Sequence, residues 1–163
     1  MKAFKFIIFL FCIWISGLGY AQLKPIFSQA DYAFWLHLPA DSILKSKPPV
    51  LIFLHGKSLS GTDLNLVKRY GVISEIEKGR KISAIVVAPQ TNNGWDPTKV
   101  LSVLNFVKKT FEVDTNRVYV VGMSMGGYGT LNFAGKYPEQ VAAAVALCGG
   151  GNIKDGCNLA TIP

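Results

Sequence analysis

Residues 118–127, Val-Tyr-Val-Val-Gly-Met-Ser-Met-Gly-Gly, constrain the fold of this chain more than any other stretch. Positions 118–121 are β-branched or aromatic and read as a buried strand closed by Gly122. Gly-x-Ser-x-Gly follows, and after it a helix-forming stretch that runs to Lys136. Strand, serine, helix is the order that a nucleophile elbow requires. Gly122 and Gly126 let the backbone turn sharply enough to lift the serine onto the upper edge of a sheet. A helix that starts just past Ser124 aims its free N–H groups and positive dipole end at the same edge. Ser124 is therefore the candidate nucleophile. No histidine follows it in the sequence.

The rest of the chain alternates strand and helix signals. Residues 32–38 form a short strand ended by Pro39, and Val50–Leu54 is a continuous apolar run, as in a strand buried on both faces. That run ends in His55-Gly56. The pattern predicts a helix from Thr62, capped by Thr62 or Asp63, with Leu64, Val67, Ile73 and Ile76 inward and Gly71 as a potential break. A second buried strand covers 82–88 and stops at Pro89. Thr98 is expected to cap a helix whose apolar positions 100, 101, 103, 104, 107 and 111 keep helical spacing. A last apolar strand spans 141–148. This rhythm means an α/β fold with a mostly parallel sheet and right-handed crossovers. With no covering helix read after 148, the chain is expected to be the N-terminal part of a single domain, interrupted rather than finished.

Half of the 163 residues are hydrophobic, a share raised by the first segment. Residues 1–5 carry two lysines, residues 6–15 are uninterruptedly apolar, and residues 16–21 are small and weakly polar. That layout predicts a secretory signal peptide over 1–21, cleaved after Gly19-Tyr20-Ala21. The competing reading is a membrane anchor, but the apolar run is well short of the roughly 18 residues needed to span a bilayer. Domain organisation is thus a leader, 1–21, and one domain, 22–163, secreted or periplasmic. Loss of the leader lowers the net charge from +7 to +5, and the remaining basic residues are scattered. Such a surface suits solubility and does not form a nucleic-acid stripe.

Cys148 and Cys157 flank Gly149-Gly150-Gly151. An exported chain can bridge them, and a buried free thiol at Cys148 is the equal alternative. No histidine or further cysteine stands near to complete a zinc site, so no metal is expected.

A serine hydroxyl needs a base to take its proton, and the oxyanion it creates needs fixed donors. The donors are present in this reading. Met125 N–H follows the nucleophile, and the His55-Gly56-Lys57 turn lies at a strand's carboxyl end, where ligands gather in open α/β sheets. The Lys57 backbone amide is the expected second donor. The base is not visible. His37 reads as a surface or edge residue, and His55 as a brace of the oxyanion loop. Downstream of Ser124 the acids are Glu139 and Asp155, neither after a recognisable strand.

Leu54-His55-Gly56, Ala88-Pro89-Gln90, Gly94-Trp95, residues 114–119, residues 122–130 and Cys148-Gly149-Gly150-Gly151 occur in that order. Together they resemble the secreted α/β-hydrolase esterases grouped with polyhydroxybutyrate depolymerases, feruloyl esterases and prolyl-oligopeptidase-like peptidases. The resemblance implies the α/β-hydrolase fold and ester hydrolysis through an acyl-enzyme on Ser124. It implies an oxyanion hole from Met125 and the His55-Gly56-Lys57 loop, with no metal or organic cofactor. It places Trp95 near a substrate pocket; packing is the alternative for that indole. The substrate would be a small-molecule or polysaccharide-linked ester. In that family a triad Asp and a final His come later than position 163, so the chain taken alone is expected to be nearly inactive. A prolyl-oligopeptidase-like peptidase and a non-catalytic binding protein are the rival readings.

Overall fold

The computed structural model describes residues 22–163, so the predicted signal peptide lies outside the described residues. Six strands form one mixed sheet: β1 Gln22–Ile26, β2 Phe34–Leu38, β3 Val50–Leu54, β4 Ile85–Pro89, β5 Val118–Met123 and β6 Ala143–Leu147. Their spatial order is β1-β2-β4-β3-β5-β6. The first two pairings, β1 with β2 and β2 with β4, are antiparallel, while β4, β3, β5 and β6 run parallel to one another. The helices are α1 Asp41–Leu44, α2 Val72–Glu77, α3 Pro97–Thr110, α4 Met125–Lys136 and α5 Gly156–Leu159.

Period-two alternation splits the apolar residues between two layers. Phe34, Leu36, Val50, Ile52, Ile85, Val87, Val118 and Val120 face one cluster, which Val100, Val103, Leu104 and Val107 of α3 and Phe133 of α4 complete. Trp35, Phe53, Val86 and Ala88 point the other way, onto Leu64, Val67 and Ile73. Strands with apolar residues on both faces are what a parallel sheet between two helical layers demands.

Several boundaries differ from the sequence reading, each for a physical reason. The helix expected from Thr62 is two pieces, a 3₁₀ stretch Leu64–Lys68 capped by Asp63 and then α2. Gly71 separates them with φ +80, and a Cβ there would stand 2.3 Å from Cζ of Phe53. Thr98 does not cap α3. Asp96 does, its Oδ1 accepting from Thr98 N at 2.8 Å, with Pro97 at the first helical position.

His37 is neither a surface nor an edge residue. Strand β1, which the sequence reading did not foresee, pairs outside β2 and sets Leu23 opposite His37, so the imidazole is wholly buried. After β6 the chain forms α5, also unforeseen, and Leu159 and Ile162 settle against the core. Pro163 carbonyl accepts from Ala144 N at 3.0 Å along β6. Val145 and Leu147 remain about half exposed.

Candidate active site

Ser124 stands between β5 and α4 with φ 55 and ψ −119, a conformation that costs an L-residue energy and turns the chain abruptly. It is exposed, at the carboxyl end of the parallel strands. Two close approaches enforce the turn. A Cβ on Gly122 would lie 2.2 Å from Gly126 O, and one on Gly126 would lie 1.8 Å from Leu54 O. Only hydrogen fits at either place, so the two glycines of Gly-x-Ser-x-Gly are steric necessities. The backbone at 124 is tied to β6 as well, Ser124 N donating to Leu147 O at 2.8 Å.

Strands β3 and β5 are adjacent, with Leu54 opposite Gly122, so the loop after β3 meets the elbow directly. A Cβ on Gly56 would be 3.2 Å from Met123 O and 3.7 Å from Ser124 Cβ. From the far side, Ser60 Oγ approaches Met125 Sδ at 3.8 Å. The turn that carries Lys57 therefore lies against the elbow, and Met125 follows the serine as the first residue of α4. Neither Lys57 N nor Met125 N donates to an acceptor among the described residues.

The loop carrying Lys57 is braced from behind. His55 is fully buried, and its Nε2 accepts from Thr91 N at 3.3 Å. That fixes the proton on Nδ1, which donates to Gly56 O at 2.8 Å. Burial holds the imidazole below its ordinary 6.5, outweighing the bonds to Gly56 and Gln90 that push it upward. With both nitrogens engaged and the ring shielded, His55 has no free lone pair with which to take a proton from Ser124.

Trp95 is turned inward. Its ring packs against His55 with centroids 4.8 Å apart, and Nε1 donates to His55 O at 3.2 Å. Gly129 of α4 makes room for it, since a Cβ there would be 2.6 Å from the indole. Only 9% of Trp95 is exposed, so the indole packs inward. The indole locks the His55 carbonyl to α4.

Gln90 directly follows Pro89, the last residue of β4. It is buried, and Nε2 donates to Leu59 O at 3.0 Å and Asp63 O at 2.8 Å while Oε1 accepts from Thr91 N at 2.9 Å. One amide side chain thus fastens the loop after β3 to the end of β4. A glutamine directly after a buried strand's closing proline was the available signal.

Other sequence candidates fall elsewhere. Cys148 and Cys157 are exposed free thiols, so neither the bridge nor the buried thiol is present. Gly149 touches Gly127 near the start of α4, whereas Asp155 and Asn158 meet Gly135 near its end. Eight helical residues separate those contacts by about 12 Å, twice the Cα separation of a disulfide. Glu139 lies in a 3₁₀ turn after α4, and Asp155 lies beside Gly135, so neither joins Ser124. His37 bonds only through Nε2, which donates to Ile82 O at 3.3 Å, on β2 and away from the elbow. Among the described residues no helix is long and apolar enough to cross a membrane.

The family model described as "Putative esterase" matches residues 28–152. The bifunctional acetylxylan esterase/xylanase XynS20E of Neocallimastix patriciarum is 30% identical over 127 residues, covering 72% of this chain and 18% of that protein. Feruloyl esterase B of Neurospora crassa is 30% identical over 127 residues, covering 65% of this chain and 40% of its own length. The chain therefore spans well under half the length of these curated relatives. A thermostable esterase superposes with TM-score 0.65 at 26% identity, over 88% of this chain and 44% of that one. The S-formylglutathione hydrolase FrmB of Staphylococcus aureus shares the fold, with TM-score 0.61 at 23% identity over 86% of this chain and 64% of its own. These neighbours place the sheet and its helices in the α/β-hydrolase fold.

Proposed function

The chain belongs to the esterase family, and on that premise we propose that it carries the nucleophile and oxyanion hole of an exported serine hydrolase of carboxylic esters. Ser124 Oγ attacks the ester carbonyl carbon while a general base takes its proton. The carbonyl oxygen becomes negative and accepts hydrogen bonds from Met125 N–H and Lys57 N–H. Collapse expels the alcohol and leaves an acyl-serine, which water hydrolyses to the acid. His55 keeps Lys57 N in place, Trp95 and Gln90 hold His55, and Lys57's own side chain is incidental. Neither His55 nor His37 is free to be the base.

One observation supports this reading: an exposed serine is held at φ 55, with the turn that bears Lys57 packed against it. The leader-like residues 1–21 support export. The names of the relatives, acetylxylan esterase and feruloyl esterase, support acyl groups carried on plant polysaccharide as the substrate class.

The test is Ser124→Ala in the complete protein that carries this chain, assayed on p-nitrophenyl acetate, acetylated xylan and methyl ferulate. Hydrolysis of at least one ester should fall by about 10³-fold or more. Turnover confined to a chromogenic peptide would support a prolyl-oligopeptidase-like peptidase. Absence of turnover and of fluorophosphonate labelling in the wild type would support a binding protein.

A further inference from the structure

One pair of hydroxyls beside Ser124 has no part in the scheme above. Tyr70 follows the 3₁₀ stretch and precedes Gly71, whose Cα sits flush on the ring of Phe53. Phe53 is in β3, two residues ahead of His55, so the position of Tyr70 is tied to the oxyanion loop. Its phenol oxygen meets Ser58 Oγ at 2.6 Å. A methyl group on Gly56 would touch that phenol oxygen at 3.3 Å and Ser124 Cβ at 3.7 Å. The width of one carbon atom therefore bridges Tyr70 and the nucleophile. Tyr70 is half-buried and Ser58 exposed, so the pair borders the space that a substrate on Ser124 would occupy.

Two hydroxyls carry two protons, and their mutual bond uses one. The other proton has no acceptor among the described residues. A hydroxyl that accepts one hydrogen bond becomes a better donor of the next. Donors aimed at developing charge raise a rate more than donors that serve the ground state. Resting on the reading of Ser124 as nucleophile, we propose that the Tyr70 hydroxyl, polarised by Ser58, donates a third hydrogen bond to the ester oxygen that turns negative, beside Met125 N–H and Lys57 N–H.

Tyr70→Phe in the complete protein removes this donor and keeps the ring. The expected result is a kcat about 10- to 100-fold lower with KM within about twofold. A trifluoromethyl ketone, whose adduct on serine carries the oxyanion, should bind weaker by the same factor, while an unreactive amide analogue of the ester binds as before. Ser58→Ala, at an exposed position, should lower kcat about three- to tenfold with the melting temperature held. It carries the test alone if the phenylalanine variant does not fold. An unchanged kcat in the folded variant, or equal weakening of ketone and amide analogue, overturns the proposal. Hydrolysis that survives Ser124→Ala overturns both the nucleophile and the tyrosine. Hydrolysis lost with Ser124→Ala but untouched by Tyr70→Phe overturns the tyrosine alone.

Discussion

Gly126 presses its Cα against the backbone of Leu54: a Cβ at 126 would stand 1.8 Å from the Leu54 carbonyl oxygen and 2.8 Å from that of His55. At Gly126, helix α4 thus meets the end of β3 main chain to main chain. Backbone cannot give way as a flexible side chain can. Gly126→Ala should therefore cost about 3 kcal/mol, the upper end for overpacking, or prevent folding. Gly156→Ala is the control, with nothing within 4 Å of its Cβ and φ −55, and should change stability by about 0.5 kcal/mol or less. Urea denaturation of the two variants decides the matter. Equal stabilities would mean that α4 can lift from β3.

Gln90 supplies a different kind of restraint. Truncation to alanine strands the carbonyl of Leu59, takes one of two donors from that of Asp63, which keeps Leu66 N at 3.2 Å, and removes one acceptor from Thr91 N. Unsatisfied buried groups cost about 1–3 kcal/mol, so Gln90→Ala should lose roughly 2 kcal/mol of stability. Since the freed loop carries Lys57 N, kcat should fall with it while Ser124 stays accessible to a fluorophosphonate. A kcat equal to wild type would separate the loop from the oxyanion hole.

The parts of the fold with a single dominant cause were the parts legible in the sequence. Strand β3 and helix α4 match their expected residues, because an unbroken apolar run and a glycine-flanked serine each admit one backbone solution. Strand β1 escaped because Gln22–Ile26 contains Lys24 and Pro25 and acquires strand form only by pairing with β2. Missing it made His37 look like an edge residue. Trp95, Gln90 and Tyr70 escaped for another reason. Their partners, His55, Leu59 and Ser58, are brought to them by the crossover from β3 to β4, and no local pattern encodes a contact over that distance.

The thiols give a prediction independent of catalysis. Cys148 and Cys157 are exposed and stand near opposite ends of α4. Both should react with iodoacetamide in the native protein without prior reduction. Dithiothreitol should leave the melting temperature unchanged, because no loop is closed by a bridge whose loss would free the unfolded chain. A reductant-dependent fall of several degrees would show that the two sulfurs meet.

Acid should destabilise the fold through its histidines. His37 and His55 are wholly buried, and burial lowers both below their ordinary 6.5 despite the bonds to Ile82 and Gly56 that raise them. A depressed folded pKa means that the unfolded chain binds protons the native state refuses. Above about pH 6.5 both imidazoles are neutral in either state and stability is full. As pH falls through 6.5 toward the folded values, each histidine removes up to about 1.4 kcal/mol per pH unit. Denaturation midpoints measured between pH 8 and pH 5.5 should therefore be flat and then decline. His37→Leu sharpens the test, because Nδ1 of His37 has no partner and Nε2 has only Ile82 O at 3.3 Å. That variant should keep its stability at pH 8 to within about 1 kcal/mol and show about half the acid slope. A wild-type midpoint that stays level down to pH 5.5 would mean that protons reach these rings in the folded state at no cost, contrary to their burial.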